Sequence, residues 1–404
     1  MEKYIIDPVF GFIKVPSGLL LDIIKHPLFQ RLARIQQLGL SSTVYPGAVH
    51  TRKMHSLGAF HLMTEAINTL RGKGVFIFDS EAEAAEAAIL MHDIGHGPFS
   101  HVLEQTLIKG ISHEEITQCI MQQINQEMNG ALNLAISIFT GEYPKPFLHQ
   151  LISSQLDVDR LDYLCRDSFF TGVAEGNIGP QRIISMMNVV DERLVIEEKG
   201  VYSVESYLIA RRLMYWQVYL HKTVVASEQL LRNILCRAHH LAAQGVDIPA
   251  TPALAFFLQH DITRQDFADN DLVLRRYEEL DDTDIWAAVK TWTNHPYKIL
   301  SMLARDFIAR RPFVMEILPE PVSADHLASL QTQLAQRYQV SEEDAAYLMA
   351  HGILSNPLYK PAGGRIDILG KDGACHDLLS VSHLIHGDTG DTTENKYYVA
   401  TRRG

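Results

Sequence analysis

The segment ILMHDIGHGPFSH, residues 89–101, constrains the fold of this chain more than any other stretch. Three histidines and one aspartate fall within its last ten positions, and His92 and Asp93 are adjacent. An apolar helical run precedes this pair, and the glycines and proline that follow it disfavour the interior of a helix. Side chains that bind cations therefore lie at the end of a rigid helix and beside a turn. The pattern predicts a buried metal site with one open face.

The composition is typical of a globular protein with an acidic surface. The chain has 404 residues, of which 47% are apolar and 21% are charged, and its formal net charge is −12. At this length we expect one large unit with an appendage, or two to three units. The acidic balance argues against a broad nucleic-acid-binding surface. A local group of basic residues can still hold a small anionic substrate.

Two features bear on the compartment. No apolar run reaches about 18 residues, so we expect no membrane span, and the N-terminus lacks the apolar core of a secretory signal. The four cysteines form no CxxC pair and are expected to be reduced thiols; they are Cys119, Cys165, Cys236 and Cys375. These features together predict a cytoplasmic protein.

Serine, proline and glycine residues predict where the first helices begin and end. Residues 1–16 favour a short extended arm or hairpin. Ser17 is predicted to cap a helix that ends at Lys25, and Pro27 to begin another that ends at Gly39.

Two sequences of the capping-box type precede helical runs. Ser80 with Glu83 is predicted to begin the helix that ends at the HD pair, and Ser112 with Glu115 to begin the next one. The second box would place His113 at the first helical position.

The remaining chain predicts more helices and then a change of character. Residues 153–167 have helical periodicity, and residues 204–245 predict a long helix with at most one break. After Pro312 the segments FVMEIL, GGRIDILGKDG and KYYVATRR favour strands, with KDG as a hairpin turn. We therefore expect a mainly α protein with an all-α body over 1–311 and a smaller C-terminal α+β subdomain over 312–404.

Further cation-binding side chains lie on other predicted helices. His55 stands at a helix start in HTRKMHSLG, and Asp159 lies in DVDRLDY. With His92 and Asp93 they would supply two imidazoles and two carboxylates from three helices within about residues 50–170. This donor set suits a divalent first-row metal, and such a metal lowers the pKa of a bound water and polarises a phosphate oxygen.

The words HTRKMHSLG, HDIGHGPFSH and DVDRLDYLCRD closely resemble the HD-domain metal-dependent phosphohydrolases. Within that superfamily they are most similar to the deoxynucleoside triphosphate (dNTP) triphosphohydrolase branch. The similarity covers roughly residues 30–230 and includes the C-terminal tail. The resemblance implies a multi-helix HD-domain fold and one divalent metal ion, for which Mg, Mn, Fe, Ni and Zn are all candidates. The ligands that it implies are His55, His92, Asp93 and Asp159.

The resemblance also implies a set of catalytic residues. His96 and His101 match histidines beside the triphosphate, and His113 matches a catalytic histidine. Its partner in the vertebrate enzyme is an aspartate, where this chain has Glu104. His101 is our candidate for the acid that protonates the leaving oxygen. A helix N-terminus disfavours the imidazolium of His113 while a carboxylate favours it, so His113 is expected to titrate near neutral pH.

Substrate contacts follow from the same resemblance. Arg52, Arg160 and Arg211 match contacts to the triphosphate, with Arg160 standing where the vertebrate enzyme has a lysine. In the family a carboxylate binds the deoxyribose 3′-hydroxyl, and a tyrosine packed at C2′ leaves no room for a 2′-hydroxyl. The residues that match this sugar pocket are Gln37, Leu38, Tyr163, Asp167 and Tyr219. Leu220 replaces a glutamine of the vertebrate enzyme, so base contacts are expected to differ.

The implied reaction cleaves a dNTP between the α-phosphorus and the 5′ oxygen. The resemblance also implies that the protein is a homo-oligomer, either a dimer or a tetramer. Some relatives are activated by a nucleotide, so a nucleotide activator is also a candidate partner of this chain. One alternative is a phosphohydrolase of nucleoside monophosphates or cyclic nucleotides, which the three arginines disfavour because they suit a triphosphate. A second is a non-catalytic nucleotide sensor, which the intact ligands and His113 argue against.

Overall fold

The computed structural model describes residues 2–357, 364–385 and 393–403, apart from the side chains of Ser100, His101, Ala268 and Asp269. Most of these residues are helical. The helices are α1 (Leu19–Lys25), α2 (Pro27–Arg31), α3 (Arg52–Gly72), α4 (Asp79–Met91), α5 (Ser100–Glu104), α6 (His113–Glu127), α7 (Asn133–Phe139), α8 (Pro146–Ile152), α9 (Val158–Thr171), α10 (Pro180–Met186), α11 (Val201–Met214), α12 (Lys222–Ala243), α13 (Pro252–Gln259), α14 (Arg264–Asp269), α15 (Asp271–Glu279), α16 (Asp282–Trp292), α17 (Lys298–Ile308), α18 (Ala324–Tyr338), α19 (Glu342–Ala345) and α20 (Leu378–Val381).

Three small sheets accompany the helices. Their strands are β1 (Lys3–Asp7), β2 (Gly11–Val15), β3 (Met187–Val190), β4 (Arg193–Glu197), β5 (Val314–Leu318), β6 (Met349–Pro357), β7 (Asp367–Leu369), β8 (Cys375–Asp377) and β9 (Thr393–Thr401). Strands β1 and β2 form a hairpin, the second sheet has the order β3-β4-β7-β8, and the third has the order β5-β9-β6. The mainly α class with smaller β parts is confirmed.

The core of the molecule is built around α3 and α4. Helix α3 packs against both α4 and α9. Helix α4 is rich in alanine, and its run from Ala87 to Met91 is fully buried. Because alanine has a small side chain and the highest helix propensity, α4 can lie close to its neighbours. This packing brings the ends of three helices to one place.

Several predicted elements are confirmed. The arm over 1–16 is the β1–β2 hairpin, with Ile5 opposite Ile13. Ser112 Oγ accepts from Glu115 N at 3.3 Å and Glu115 Oε2 accepts from Ser112 N at 3.0 Å, so this capping box places His113 first in α6. The long helix is broken once, by a π-helical turn at Tyr215–Tyr219 between α11 and α12.

Two predicted helix starts are wrong. Helix α1 begins after Gly18, with no side-chain cap from Ser17. Helix α4 begins at Asp79, and its third residue, Glu81, accepts from Phe78 N at 2.8 Å. The predicted capping box of Ser80 and Glu83 does not form. Lys145 binds the buried carboxylate of Glu81 and fixes that residue at the helix start instead.

The helix that begins at Pro27 ends at Arg31 rather than Gly39. The buried Arg31 guanidinium donates to the carbonyls of Leu280 and His96, and the chain then tightens into a 3₁₀ turn at Leu32–Arg34. The predicted helix over 153–167 is α9, which begins five residues later because the Asp157 carboxylate accepts from Arg160 N at 2.8 Å.

The C-terminal segment packs back onto the body. Strand β7 pairs in parallel with β4, with Ile368 opposite Ile196. Strand β5 packs against α12, and Asn233 Nδ2 of that helix donates to the carbonyls of Tyr347 and Met349. The boundary near Pro312 stays a prediction, but the residues after it share a sheet with the residues before it.

Candidate active site

The HD pair follows directly from the end of α4. His92 is the C-cap of that helix, and its carbonyl accepts from Thr117 Oγ1 at 3.0 Å. The same hydroxyl accepts from Gly95 N at 3.0 Å. A Cβ atom on Gly95 would lie 2.3 Å from the carbonyl oxygen of His113, so only glycine allows α6 to come this close. The turn therefore holds His92 and Asp93 against the start of α6.

Three proposed ligands converge from three helices. His55 lies one turn into α3, His92 at the end of α4, and Asp159 in the first turn of α9. His55 Nε2 lies 3.1 Å from His92 Nε2 and 3.0 Å from Asp159 Oδ1, and His92 Nε2 lies 3.4 Å from Asp159 Oδ1. A cation bonded at about 2.1 Å separates its ligand atoms by about 3.0 to 3.4 Å. The three atoms thus fit one metal ion.

Hydrogen bonds at the other ring nitrogens support this fit. His55 Nδ1 lies 2.7 Å from Asp162 Oδ2, and His92 Nδ1 lies 2.7 Å from the carbonyl oxygen of Ile89. Both Nδ1 atoms therefore donate, so each Nε2 is the atom that can bind a metal ion when its ring is neutral. The 3.1 Å separation of the two Nε2 atoms is compatible with a proton on one of them or with a metal ion bound to both. The donor set suits a divalent metal that takes nitrogen and oxygen ligands.

The electrostatics of the cluster favour added positive charge. Burial opposes protonation of His55, but the Asp159 and Asp162 carboxylates outweigh it and raise the pKa of His55 to about 10. Burial likewise opposes ionisation of Asp159, but hydrogen bonds from His55 and His92 lower its pKa. A divalent cation would neutralise the same surplus of carboxylates.

Asp93 completes the predicted ligand set and also binds an arginine. Its carboxylate oxygens lie 3.5 Å from His92 Nε2 and 3.7 Å from His55 Nε2. Arg52 Nη1 donates to Asp93 Oδ2 at 2.6 Å. Burial opposes ionisation of Asp93, but the neighbouring His92 and Arg52 hold the pKa of Asp93 well below its usual range. Arg52 therefore lies beside the cluster of candidate metal ligands.

His113 lies between two carboxylates. Its Nδ1 is 3.2 Å from Glu104 Oε1 and its Nε2 is 3.2 Å from Glu114 Oε1. Burial lowers the pKa of His113, but the two carboxylates outweigh both burial and the helix N-terminus and raise it to about 9. The expected titration near neutral pH is therefore displaced upward, and the group is an imidazolium at pH 7.

His96 has the opposite character. Its ring stacks on that of His113 with centroids 3.9 Å apart, and its Nε2 lies 3.3 Å from Asp93 Oδ1. Burial and the Arg52 charge hold the pKa of His96 well below its usual range, so it is a neutral imidazole. His101 belongs to α5, but its side chain lies outside the described part of the chain, and its role stays a prediction.

One cavity of about 1070 Å³ connects these groups. Among the predicted site residues, the following line it: Gln37, Leu38, Arg52, His92, Asp93, His96, His113, Asp159, Arg160, Tyr163, Asp167 and Tyr219. A backbone hydrogen bond explains the position of Gln37. Its backbone N–H donates to the carbonyl of His50, just before α3, at 3.0 Å. Residues from widely separated parts of the chain, between positions 36 and 232, thus line one cavity. Residues of β6 and β9 form one of its walls.

Two of the three predicted phosphate arginines lie on this cavity. Arg52 and Arg160 line it, and Arg160 Nη1 also donates to the buried Asp157 carboxylate. Arg211 is absent from the described lining, and its Nη1 donates to Gln155 Oε1 at 3.3 Å. Contact of Arg211 with a phosphate stays a prediction.

The predicted sugar residues form a connected group. Tyr219 donates from its hydroxyl to Asp167 Oδ2 at 2.7 Å, and His50 Nε2 lies 2.7 Å from Asp167 Oδ1. The ring of Tyr163 lies against those of Tyr219 and His55, with centroids 6.1 and 6.5 Å apart. The Asp167 carboxylate is thus held in one orientation at the cavity wall. Sequence reasoning missed His50, although it opens the HTRKMHSLG word.

Sequence reasoning also missed a buried charge network behind His55. Asp162 accepts from Arg166 Nε and Nη2 at 2.9 Å each, and Arg166 Nη1 donates to Asp7 Oδ2 at 2.8 Å. A Cβ on Gly58 would lie 1.9 Å from Asp162 Oδ1, so glycine is required there. Asp162 and Arg166 are four residues apart on one helix, and this spacing could have indicated an ion pair. It could not have indicated their further partner, Asp7 in β1.

Comparisons with known proteins show which family the chain belongs to. Residues 52–167 match the family model of the HD domain, and residues 178–250 match that of the HD associated region. The chain is 31% identical over 414 residues to the protein YwfO of Bacillus subtilis, which covers 98% of this chain and 92% of that protein. The chain belongs to the HD-domain phosphohydrolases. Its HD domain contains His55, His92, Asp93 and Asp159.

A solved structure supports the fold of the whole chain. The crystal structure of a phosphohydrolase from Bacteroides thetaiotaomicron superposes with a TM-score of 0.97 at 55% identity and covers 100% of both chains. No helix within the described residues is long and apolar enough to cross a membrane.

The chain is also similar, over part of its length, to proteins named as dNTP triphosphohydrolases. It is 30% identical over 280 residues to the human deoxynucleoside triphosphate triphosphohydrolase SAMHD1, and 28% identical over 256 residues to the SAMHD1 homolog of Dictyostelium discoideum. The chain spans about half the length of these two relatives, 44% and 49% respectively.

Proposed function

We propose that this phosphohydrolase converts dNTPs into deoxynucleosides and inorganic triphosphate. The observation that carries the proposal is one cavity with three successive zones. The first holds His92, Asp93 and Asp159, which the buried His55 contacts; the second holds Arg52 and Arg160, and the third is the Asp167–Tyr219 pair. These zones match the reacting phosphate, the phosphate chain and the deoxyribose of one substrate. The activity named for the SAMHD1 relatives supports the same substrate class.

The first zone would hold one divalent cation through the four ligands named above. When bound there, such a cation polarises a phosphate oxygen and lowers the pKa of a water. The protein's own contribution is to fix the ligands. Asp162 orients the His55 ring, the Ile89 carbonyl orients the His92 ring, and Arg52 orients the Asp93 carboxylate.

The second zone neutralises phosphate charge. The Arg52 and Arg160 guanidinium groups present planar forks that can donate two hydrogen bonds to a phosphate. Each is also held by a carboxylate, Arg52 by Asp93 and Arg160 by Asp157, so each side chain is ordered before substrate arrives. Two fixed cations suit a triphosphate better than a single phosphoryl group.

Helix α9 sets the spacing between the first and third zones. Asp159, Arg160, Tyr163 and Asp167 all line the cavity from this one helix. Asp167 follows Asp159 by eight positions, which corresponds to about 12 Å along the helix axis. The Asp167 carboxylate would accept the 3′-hydroxyl of the sugar, and the rings of Tyr163 and Tyr219 would pack against its 2′ face. A 2′-hydroxyl would then meet an aromatic surface.

The reaction requires one proton transfer at the leaving oxygen. Water adds to the α-phosphorus, the bond from phosphorus to O5′ breaks, and O5′ takes up a proton as the deoxynucleoside leaves. His113 is an imidazolium at neutral pH and lines the cavity, so it can supply positive charge or a proton there. Glu104 fixes the His113 ring from the side of Nδ1. His96, neutral and stacked on His113, keeps a lone pair.

The test is a product analysis with purified protein. Each dNTP is incubated with Mg²⁺ or Mn²⁺, with and without dGTP as an activator, and deoxynucleoside and inorganic triphosphate are quantified by ion-exchange chromatography. We expect both products in equal amounts. The Asp159→Asn variant should lose turnover, while Asp79→Asn, at a fully exposed carboxylate on α4, should retain it.

Two outcomes would contradict the proposal. Hydrolysis of nucleoside monophosphates or cyclic nucleotides alone would assign the site to a single phosphoryl group. Binding of dNTP with metal but without turnover would assign a sensing role. Assembly into a dimer or tetramer, expected for a relative of this branch, is tested on the same sample by light scattering.

A further inference from the structure

One face of α12 continues the cavity wall beyond the sugar residues. After Tyr219 and Leu220, the lining residues of this wall are Val225, Glu228, Gln229 and Arg232. The 3₁₀ turn Gly39–Thr43 packs against the same helix, and Gly39, Leu40 and Ser41 line the cavity beside it. A nucleotide with its sugar at Asp167 and its phosphates toward the metal ligands would direct its base along this wall.

Glu228 and Arg232 are spaced as an ion pair but do not form one. They lie four residues apart with the glutamate first, which is the favourable order for a helical salt bridge. Within the described residues, no nitrogen of Arg232 lies within 4.0 Å of a carboxylate oxygen of Glu228, and the Glu228 carboxylate has no hydrogen-bonding partner. Arg232 Nη1 donates only a long bond of 3.4 Å to Gln229 Oε1, and its buried Nε has no partner in this part of the chain.

This arrangement is unfavourable for both side chains. Burial raises the pKa of Glu228 to about 7 because no opposite charge offsets it. The other two cavity arginines, Arg52 and Arg160, are each held by a carboxylate, whereas Arg232 is not. The Glu228 carboxylate and the Arg232 guanidinium thus lie on the same cavity wall. The first can accept further hydrogen bonds and the second can donate them. Groups in this state are completed by a ligand that presents donors to one and acceptors to the other.

The C-terminal sheet closes this part of the cavity. Gly352 of β6 and Tyr398 of β9 are cross-strand partners that both line it. A Cβ on Gly352 would lie 2.8 Å from the Tyr398 hydroxyl oxygen, so glycine leaves room for that ring. Burial raises the pKa of the Tyr398 hydroxyl, while the Arg232 charge lowers it and the Glu228 carboxylate raises it, so both side chains lie near this hydroxyl.

We propose that Glu228 and Arg232 bind the edge of the nucleotide base and that the base they fit is guanine. Guanine presents two neighbouring N–H donors, N1 and the 2-amino group, beside two acceptors, O6 and N7. A carboxylate accepts from both donors, and a guanidinium donates to the acceptors. Adenine and cytosine present a single amino group, and thymine a single N–H, so they leave part of this pair unsatisfied. The inference rests on the proposed dNTP substrate.

The test measures kcat/KM for the four dNTPs with the wild type, Glu228→Gln and Arg232→Met. We expect the wild type to favour dGTP. The ratio of kcat/KM for dGTP to that for dATP should fall about tenfold or more in each variant. Glu228→Gln weakens the bonds from guanine N1 and the 2-amino group, and Arg232→Met removes those to O6 and N7. Glu83→Gln is the matched control, since it makes the same chemical change on the exposed face of α4 and should keep the wild-type ratio.

Equilibrium binding separates this inference from the proposed hydrolysis. Calorimetric titration of dGTP and dATP into the Asp159→Asn protein, with and without Glu228→Gln, measures base preference without turnover. Equal binding of dGTP and dATP, or an unchanged ratio after Glu228→Gln, overturns the assignment of the base. Selective binding that depends on Glu228, in a protein whose wild type hydrolyses no dNTP, supports the base assignment and contradicts the hydrolase proposal.

Discussion

The Asp162 carboxylate accepts a hydrogen bond from His55 Nδ1 at 2.7 Å and thereby turns His55 Nε2 toward His92 and Asp159. Asp162 is fully buried, and in the described part of the chain its hydrogen bonds are with His55 and Arg166. Its second partner is Arg166, which binds Asp7 on the first strand. A chain of buried charges therefore connects the N-terminal hairpin to the candidate metal ligands. Carboxylates in this position fix the tautomer and basicity of a ligating histidine.

Asp162→Asn should weaken metal binding. Both carboxylate oxygens of Asp162 accept hydrogen bonds, and an amide offers only one acceptor, so either His55 or Arg166 loses its partner. We expect the dissociation constant for Mn²⁺ to rise about 10- to 100-fold, as measured by calorimetric titration. Asp79→Asn is the control. Wild-type affinity in a folded Asp162→Asn protein would show that the tautomer of His55 is fixed by something else.

Asp7→Asn should destabilise the fold. The Arg166 guanidinium is fully buried between Asp7 and Asp162, so removal of one charge leaves it under-compensated. We expect the free energy of unfolding to fall by about 3 kcal/mol, as measured by urea denaturation. Glu2→Gln, which removes an exposed partner of Lys14, should change it by less than about 1 kcal/mol. Similar values for the two variants would contradict the role of the buried network.

Asp167→Asn should weaken binding of the sugar without weakening binding of phosphate. The variant removes the charge that would accept the 3′-hydroxyl and disturbs the hydrogen bonds to His50 and Tyr219. We expect KM for dATP to rise by about tenfold, equivalent to one hydrogen bond to a charged group. The inhibition constant of inorganic triphosphate should stay at its wild-type value. An equal loss in both constants would mean that Asp167 supports the site as a whole.

Arg160→Gln should have the complementary effect. It removes a cavity cation that Asp157 holds in place. Since inorganic triphosphate and dATP share the phosphate chain, the inhibition constant and KM should rise together by about tenfold or more. A rise in KM for dATP alone would place Arg160 at the nucleoside end of the cavity.

The pH dependence of kcat/KM should report His113. Glu104 and Glu114 raise its pKa to about 9, while the stacked His96 is neutral and adds no charge. The imidazolium persists below pH 9, so an activity that needs it should fall as pH rises through about 9. Glu114→Gln removes one of the two carboxylates and should move this fall to lower pH. The same position for wild type and variant would exclude His113 as the titrating group.

Local chemistry made several features predictable. The Ser112–Glu115 box placed His113 at the start of α6 because both hydrogen bonds form between residues three apart. The glycines after His92 ended α4 at the HD pair, since backbone preferences act over a few residues. The resemblance over three short words then supplied candidates for the ligands, and the fold brings His55, His92, Asp93 and Asp159 together.

Other features depended on long-range packing. In the DVDRLD word, Asp157 caps the helix, Asp159 faces the two histidine Nε2 atoms, and Asp162 faces the far side of the His55 ring. Helical periodicity gives their relative directions but not what lies in each direction. Helix α4 similarly began in a different frame from the Ser80–Glu83 prediction, because Lys145 binds Glu81 from another part of the chain.

The amino-acid sequence by itself determined the helical class, the HD turn and the chemical types gathered in the motif words, because these depend on neighbours in the chain. The tertiary structure alone decided which aspartate faces a metal ligand, which arginines line the cavity, and that Glu228 and Arg232 remain apart on its wall. Sequence spacing favours a salt bridge between those two residues. Their separation and their place on the cavity wall arise from the packing of α12 with the 3₁₀ turn and the C-terminal strands, which brings together residues more than a hundred positions apart.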